Sequence, residues 1–234
     1  DNASSALTIS ANDASAAETA TNNGQFTVDL GAVNNTGAAV VVSYTVSGTA
    51  TATGDYEALS GTVSVAAGAQ TATIDVAGIV DDTLFENNET VIVTLTGTNH
   101  TGFTASDSPS ATVTIADNDN AAASINADLS VTTQGKEDGP VDIVYKVTLA
   151  KTNNTGSAIT FDLTRDSGSA TSGSDFTAIP SGAKISVANG ASTGTFTVAV
   201  TQDALVESTE TLVAKIANPS DAAIKVNTAT ATAN

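Results

Sequence analysis

The stretch AAVVVSYTV at residues 38–46 carries the pattern that decides the fold. Its larger side chains fall on every second residue, at Val40, Val42, Tyr44 and Val46. This period of two is typical of a β-strand that buries one face and exposes the other. A Gly residue, Gly48, follows the stretch closely, and the same succession of alternation and turn residues recurs along the chain.

Alternation of this kind predicts an all-β chain. In the first half it predicts seven strands, near residues 6–10, 25–30, 38–46, 61–65, 71–79, 90–96 and 111–116. In the second half it recurs at residues 143–149, 159–163 and 196–200. Short strands separated by Gly, Asn and Asp turns predict a two-sheet antiparallel sandwich in each half. The segments AAGAQ (66–70) and ANGAS (188–192) have the composition of turns, and we interpret each as the turn of a hairpin.

The chain contains two copies of one repeat. The matching pairs are NNTG at 34–37 and 153–156, GTATATGDYEALSG at 48–61 and GSATSGSDFTAIPSG at 168–182, and DDTLFENNET at 81–90 and QDALVESTET at 202–211. Their offsets of 119, 120 and 121 residues keep the copies nearly in register, so we predict domains at 1–118 and 119–234. Copy 1 closes with TVTIADNDN (112–120) and the chain opens with Asp1-Asn2, which indicates a two-repeat window of a longer tandem array.

Negative charge is concentrated in the first half. Residues 1–118 contain 13 Asp and Glu and no Lys or Arg, whereas residues 119–234 contain 12 acidic and all seven basic residues. The halves therefore carry −13 and −5 of the net charge of −18. This balance argues against nucleic acid and anionic membranes as partners, because both are bound through Lys and Arg. With no Cys and one His, a Ser-His-Asp triad has almost no support, and we predict that the protein is not an enzyme.

The acidic segments of the first half are predicted to meet at one end of the sandwich. Successive strands of an antiparallel sandwich mostly reverse direction, so alternate loops lie at the same pole. One of these loops contains VDDTLFENNE (80–89). The carboxylates gathered there would be Glu18, Asp55, Asp81, Asp82, Glu86, Asp117 and Asp119. Hard cations such as Ca²⁺ take six to eight oxygen ligands, and without a cation such a group would protonate or move apart.

The run from GTATATGDYEALSG to DDTLFENNET, together with the closing TVTIADND, resembles the Calx-β domain. This resemblance covers nearly all of both copies. It implies two tandem Ig-like antiparallel β-sandwiches of about seven strands each, with Ca²⁺ bound at one pole. In copy 1 the family's acidic positions fall on the seven carboxylates named above, and Glu89 matches a further position that binds metal less consistently.

Copy 2 departs from the family pattern. Gln202 replaces one of the acidic residues of the loop, and the closing Asp-x-Asp has no counterpart before residue 234. The resemblance still implies a metal site formed by Glu137, Asp175, Asp203, Glu207 and Glu210, with Asp138 as a substitute for Glu137. We expect fewer or weaker Ca²⁺ sites in this copy, or none.

The sequence favours a structural role outside the cell. We expect calcium-binding extender repeats of a long bacterial cell-surface adhesin, exposed on the surface or secreted. Ca²⁺ at the pole and at the linker ADNDNAAAS (116–124) would stiffen the array by bridging Asp117 and Asp119 to Asp82 and Glu86. The partners would be neighbouring repeats of the same chain, with a possible cell-surface or glycan ligand, and the chain itself would be a monomer. An adhesive module that binds a peptide or glycan and a calcium sensor are the alternatives.

Overall fold

The computed structural model describes residues 4–19 and 22–234 of the chain. The opening Asp1-Asn2 pair lies outside the described residues. The described residues form strands, turns and bridges without any helix, so none of them forms a helix that could cross a membrane. The chain divides into two compact units, which we call unit 1 (the described residues up to 82, and residues 87–118) and unit 2 (residues 83–86 and 119–234). The predicted domain boundaries, 1–118 and 119–234, stay a prediction.

Unit 1 consists of one large sheet, one small sheet and a short strand pair. Its strands are β1 (Ser5–Ala6), β2 (Thr8–Asp13), β3 (Ser15–Ala17), β4 (Gly24–Asp29), β5 (Val40–Gly48), β6 (Thr62–Val65), β7 (Thr71–Val76), β8 (Glu89–Thr98), β9 (Phe103–Thr104) and β10 (Ser110–Ala116). The large sheet has the order β3-β10-β8-β5-β6, the small sheet has the order β2-β4-β7, and β1 pairs with β9.

The first predicted strand, near residues 6–10, is three strands in the structure. Strand β2 pairs antiparallel with β4 in the small sheet, whereas β3 pairs parallel with β10 in the large sheet. A register shift between Ala11 and Asp13 bends the chain at this point, as bulges do, and lets one segment serve both sheets.

Unit 2 consists of two four-stranded sheets. Its strands are β11 (Ile125–Thr133), β12 (Ile143–Asn153), β13 (Ile159–Ser167), β14 (Lys184–Val187), β15 (Ala191–Val198), β16 (Leu212–Ala217), β17 (Ile224–Thr228) and β18 (Thr230–Ala233). The sheet orders are β15-β12-β11-β17 and β14-β13-β16-β18. The all-β class with two antiparallel Ig-like units is therefore confirmed, with a few parallel pairs added where strands are split between sheets.

The predicted hairpins at AAGAQ and ANGAS are wrong. Both segments turn, as the hydrogen bond from the Ala69 N–H to the Ala66 carbonyl (3.1 Å) shows for the first. However, β6 and β7 lie in different sheets, and so do β14 and β15. Composition reveals a reversal of the chain, but the choice between pairing with the next strand and crossing to the other sheet depends on tertiary contacts.

Each unit has its own hydrophobic core, built from the alternating residues of its strands. In unit 1 the buried residues include Phe26 and Val28 of β4 and Val42 of β5, each with 0% of its surface exposed. In unit 2 the buried Tyr145 of β12 donates a hydrogen bond to the carbonyl of Leu212 in the other sheet (2.7 Å). Burial raises the pKa of Tyr145 to about 12, so the phenol stays protonated as a donor at neutral pH.

The repeated NNTG motif forms a turn around a fully buried Asn side chain. In unit 1 the Asn34 amide donates to the carbonyls of Ala38 (2.8 Å) and Val65 (3.0 Å), and its oxygen accepts hydrogen bonds from the backbone and hydroxyl of Thr36. The matching partners of Asn153 in unit 2 are Ser157, Val187 and Thr155. The motif therefore ties the end of one strand to another strand of the same unit.

Replacement of this buried side chain should destabilise unit 1. Asn34→Ala leaves the Ala38 and Val65 carbonyls without their donor, and each buried polar group left unsatisfied costs about 1–3 kcal/mol. We expect the urea unfolding transition of unit 1 to lose roughly 2–4 kcal/mol. The matched control is Asn35→Ala, because Asn35 is the exposed neighbour in the same turn. Equal midpoints for the two variants would contradict the assignment.

Candidate metal centre

Three segments of unit 2 bring carboxylates together at one end of its sandwich. Glu137 lies in a turn after β11 that is closed by two backbone hydrogen bonds between Lys136 and Val141 (3.1 and 2.8 Å). Asp175 lies in the turn between β13 and β14, where its N–H donates to the Thr171 carbonyl (3.0 Å). Glu207 lies in the long loop between β15 and β16.

These three side chains converge closely enough to share one ion. One carboxylate oxygen from each of Glu137, Asp175 and Glu207 lies within 4.8 Å of the other two. Two oxygens bound to the same Ca²⁺ can be no more than about 5 Å apart, since each Ca–O distance is about 2.3–2.6 Å. Asp175 is the least exposed of the three, and Glu207 is open to solvent. The spacing therefore fits a single hard cation.

Two further carboxylates belong to the same group. The negative charge of Asp203 contributes to the raised pKa of Glu207, and Glu210 forms a hydrogen bond with Asp175. We call Glu137, Asp175, Asp203, Glu207 and Glu210 the carboxylate cluster. It unites all five residues that the resemblance implied for copy 2. That they bind metal stays a prediction.

The surroundings of the carboxylate cluster raise the pKa values of two of its members, Glu207 and Glu210. Desolvation, followed by the negative charges of Asp175, Asp203 and Glu137, raises the pKa of Glu207 above its ordinary value. The hydrogen bond with Asp175 is the main cause that raises the pKa of Glu210, with desolvation and neighbouring charges adding to it. Part of each pKa shift comes from neighbouring negative charges. Binding of protons, or of another cation, would reduce the repulsion between these charges.

The turn that carries Asp175 is held in place by the body of unit 2. The guanidinium of Arg165 donates to the carbonyls of Gly168 (3.0 Å) and Ala170 (2.7 Å), and lies 5.5 Å from the centre of the Phe176 ring. Phe176 is buried beside Asp175. Within the turn, the Thr171 N–H donates to the Asp175 carboxylate. The position of this carboxylate is therefore set by packed neighbours before any ion binds.

A cavity of about 600 Å³ adjoins the carboxylate cluster. Its lining combines the five carboxylates with buried apolar residues such as Phe176 and Leu212. Gln202, the residue that departs from the family pattern, also lines it. Leu205 and Val206, at the tip of the same loop, line it while remaining exposed to solvent.

The acidic residues of unit 1 also lie at one end of their sandwich. The Glu18 N–H donates to the Ala116 carbonyl (3.1 Å), which places Glu18 next to Asp117, and both residues are buried. The Val80 N–H donates to the Asp55 carbonyl (3.0 Å), which places Asp55 beside the segment that continues to Asp81 and Asp82. Burial, helped by the charge of Asp55, raises the pKa of the neighbouring Tyr56.

Asn residues connect these acidic segments. The side chain of Asn118 donates to the carboxylate of Asp81 (2.9 Å), and the backbone N–H of Asp117 donates to the side-chain oxygen of Asn88 (3.2 Å). Next to Asn88, Glu89 faces Ile115 in the β8–β10 pair. Sequence reasoning missed Asn88 and Asn118, although both stand between acidic residues in ENNE and ADNDN.

Two predicted residues of the first pole belong to unit 2 instead. Glu86 is buried, its carboxylate accepts a hydrogen bond from the Asn154 side chain, and its carbonyl accepts one from Asn120 (3.1 Å). Asp119 forms an ion pair with Lys151. The absence of Lys and Arg from residues 1–118 does not leave Asp119 without a basic partner, because folding brings Lys151, which lies 32 positions away in sequence, close to it.

The raised pKa values of Glu207 and Glu210 predict a pH dependence in the absence of divalent cations. Their folded-state pKa values lie above the ordinary 4.5, so the folded state holds more protons than the unfolded state between the two values. In chelator, the melting temperature of unit 2 should fall as the pH rises from 4.5 towards neutrality. The double variant Glu207→Gln/Glu210→Gln should flatten this fall.

Asp166→Asn is the matched control for that titration, because Asp166 is an exposed carboxylate of β13 outside the carboxylate cluster. Hydrogen bonds lower the pKa values of Asp128 and Asp162 below the ordinary 3.8. These two residues therefore change the stability only at pH values below 3.8, outside the range from pH 4.5 to neutrality. A double variant with the same pH profile as Asp166→Asn would contradict the repulsion that we derive.

Comparison with known proteins agrees with the architecture. The family model described as the Calx-beta domain matches residues 1–119 and 132–234. No curated protein sequence matches the chain. Among solved structures, similar chains include CBD12 from CALX1.2 (16% identity, TM-score 0.42, 98% of this chain and 99% of that chain). Another is the calcium binding domain CBD12 of CALX1.1 (17%, 0.37, 90% and 80%).

A third similar structure is the Yersinia pseudotuberculosis adhesin InvE (15% identity, TM-score 0.40, 97% of this chain and 58% of that chain). At such identities a structural likeness concerns the fold alone, so the assignment rests on the sequence match to the family. Two copies of the match account for most of the chain and coincide with the internal repeat. The chain therefore belongs to the Calx-beta domain family.

Proposed function

We propose that the chain is a pair of calcium-binding extender repeats of a long bacterial cell-surface adhesin. The observation that carries the proposal is the carboxylate cluster of unit 2, in which three oxygens from separate loops lie within 4.8 Å of one another. Carboxylates are hard oxygen ligands, and Ca²⁺ prefers such ligands in a flexible geometry. Mg²⁺ fits less well, because it requires a near-ideal octahedron at shorter distances.

Ca²⁺ would supply the positive charge that the carboxylate cluster lacks. Glu137, Asp175 and Glu207 would hold the ion, and Asp203 and Glu210 would complete the site. In unit 1 the ligands would come from Glu18, Asp55, Asp81, Asp82 and Asp117, with Glu89 beside them. Because the ion binds the folded state, a free concentration of about 100 Kd would stabilise a unit by roughly 2.7 kcal/mol.

The path of the chain supports a stiffening role. The chain passes between the units three times, after Asp82, after Glu86 and after Asn118. A candidate ligand, namely Asp82, Glu86 or Asp119, lies at each of these passages. Fixing these residues with Ca²⁺ would restrict the segments on which bending depends. Extracellular Ca²⁺ modules bind at about 10⁻⁴–10⁻³ M, which suits a repeat exposed to seawater or tissue fluid.

Ca²⁺ should raise the melting temperature of unit 2, and loss of the ligands should abolish the effect. Saturating Ca²⁺ should add about 2.7 kcal/mol, or roughly 10 °C for a domain of this size, relative to chelator. The double variant Asp175→Asn/Glu207→Gln should show no increase in melting temperature with Ca²⁺, whereas the Asp166→Asn variant should show the wild-type increase. Calorimetric titration of the same three proteins gives the affinity. A Kd of micromolar order would favour the calcium-sensor alternative, and a wild-type melt unaffected by Ca²⁺ would contradict the proposal.

Small-angle scattering tests the stiffening directly. In excess Ca²⁺ we expect the wild-type distance distribution to be longer and narrower than in chelator, because the passages between the units become fixed. Asp82→Asn should reduce this difference, and Asp107→Asn, a change of an exposed carboxylate in the loop before β10, at the opposite end of that strand from Asp117, should not. Identical wild-type profiles in the two conditions would rule out the extender and leave an adhesive peptide- or glycan-binding module as the better hypothesis.

A further inference from the structure

The two copies of the acidic loop have opposite environments at their tips. The tip TLFE (83–86) of copy 1 corresponds to ALVE (204–207) of copy 2, so Phe85 corresponds to Val206. Phe85 is 1% exposed and belongs to the hydrophobic core of unit 2. Val206 is 102% exposed and its neighbour Leu205 is 68% exposed. The tip of the acidic loop therefore buries its aromatic residue in copy 1 and exposes its apolar residues to solvent in copy 2.

The element that receives Phe85 is the NNTG turn at the end of β12. The Phe85 N–H donates to the Thr152 carbonyl (3.0 Å), and the Asn154 N–H donates to the Phe85 carbonyl (2.7 Å). These two bonds form an isolated parallel bridge between Phe85 and Asn153. The carboxylate of Glu86 accepts a third bond from the Asn154 side chain. Residues 83–86 are held in unit 2 by this bridge and by burial of an aromatic ring.

Unit 1 has the same turn in an open state. Its NNTG motif is built around Asn34 with the hydrogen bonds that Asn153 makes in unit 2. Yet Val33, the counterpart of Thr152, is 46% exposed, and Asn35, the counterpart of Asn154, is also exposed. Of the large hydrophobic side chains exposed in the described residues, three of six are at Val33, Leu205 and Val206. The exposed turn of unit 1 and the exposed Leu205–Val206 pair therefore correspond to the two partners of the contact that residues 83–86 make in unit 2.

We propose that Leu205–Val206 is a plug and that the turn at residues 33–37 is its socket, so that repeats of this family join head to tail. The occupant of each is another repeat of the same kind, seated as residues 83–86 are seated in unit 2. Val206 would insert its side chain, its backbone would bridge Asn34, and Glu207 would accept a bond from Asn35. Because plug and socket are different surfaces, the contact is heterologous and propagates along an array. This inference rests on the tandem role proposed above.

Disulfide trapping between two copies of the chain tests the contact. The chain contains no Cys, so introduced thiols are the only ones present. The parallel bridge at Phe85 places residue 84 beside residue 152, and the corresponding pair is Leu205 and Val33. We would mix Leu205→Cys with Val33→Cys at millimolar concentration under mild oxidation, in Ca²⁺ and in chelator, and measure the mixed dimer. The control partner is Val46→Cys, an exposed valine of unit 1 on β5.

We expect at least a fivefold excess of the mixed dimer over the Leu205→Cys and Val46→Cys pair. Adding Val206→Asp to the Leu205→Cys chain should remove the excess, and adding Val206→Phe, which copies Phe85, should increase it. The four substituted positions, Val33, Val46, Leu205 and Val206, are all solvent-exposed in the wild-type chain, and circular dichroism would verify that each variant is folded.

Equal yields for the two pairs in both conditions would overturn the plug and socket, and so would a predominance of Leu205→Cys homodimers. The calcium proposal fails separately. If the excess appears in Ca²⁺ and in chelator alike while Ca²⁺ leaves the wild-type melt unchanged, the docking inference holds and the calcium role does not.

Discussion

The gathering of carboxylates at the ends of the two units is the constraint on which the rest of this structure depends. In an antiparallel sandwich, alternate connections lie at the same end, and in both units these connections carry the acidic residues. The core between the sheets fixes the strand ends, so the charges cannot move far apart. In the carboxylate cluster, desolvation and then the neighbouring negative charges raise the pKa of Glu207, and the hydrogen bond with Asp175, desolvation and neighbouring charges raise that of Glu210.

The scaffold tolerates this repulsion because its turns are fixed by groups outside the carboxylate cluster. Arg165 holds the turn of Asp175 through two backbone carbonyls and the ring of Phe176. Tyr145 binds the carbonyl of Leu212, where the acidic loop enters β16. A site whose ligands are positioned in advance loses little conformational entropy when an ion binds. More of the free energy released by relief of the repulsion would then contribute to the affinity for the ion.

Comparison of the two repeat copies separates the features that both share from those found in one copy alone. The NNTG turn has the same buried Asn in both units, so its first role is to stabilise the fold. In unit 2 the same turn also binds residues 83–86. Copy 2 has Gln202 where copy 1 has an acidic residue, yet one carboxylate oxygen from each of Glu137, Asp175 and Glu207 still lies within 4.8 Å of the other two.

The sequence by itself determined the strand class and the repeat, because alternation with a period of two and a fixed offset are properties of the chain alone. The family followed from the motifs that the copies share with the Calx-β domain. Parity of the loops predicted the candidate carboxylates of copy 1, and the resemblance implied those of copy 2. Only the tertiary structure decided that AAGAQ crosses between sheets, that Lys151 pairs with Asp119, and that Phe85 lies in the core of unit 2. These features depend on contacts between residues far apart in sequence, whose selection by packing leaves no local pattern.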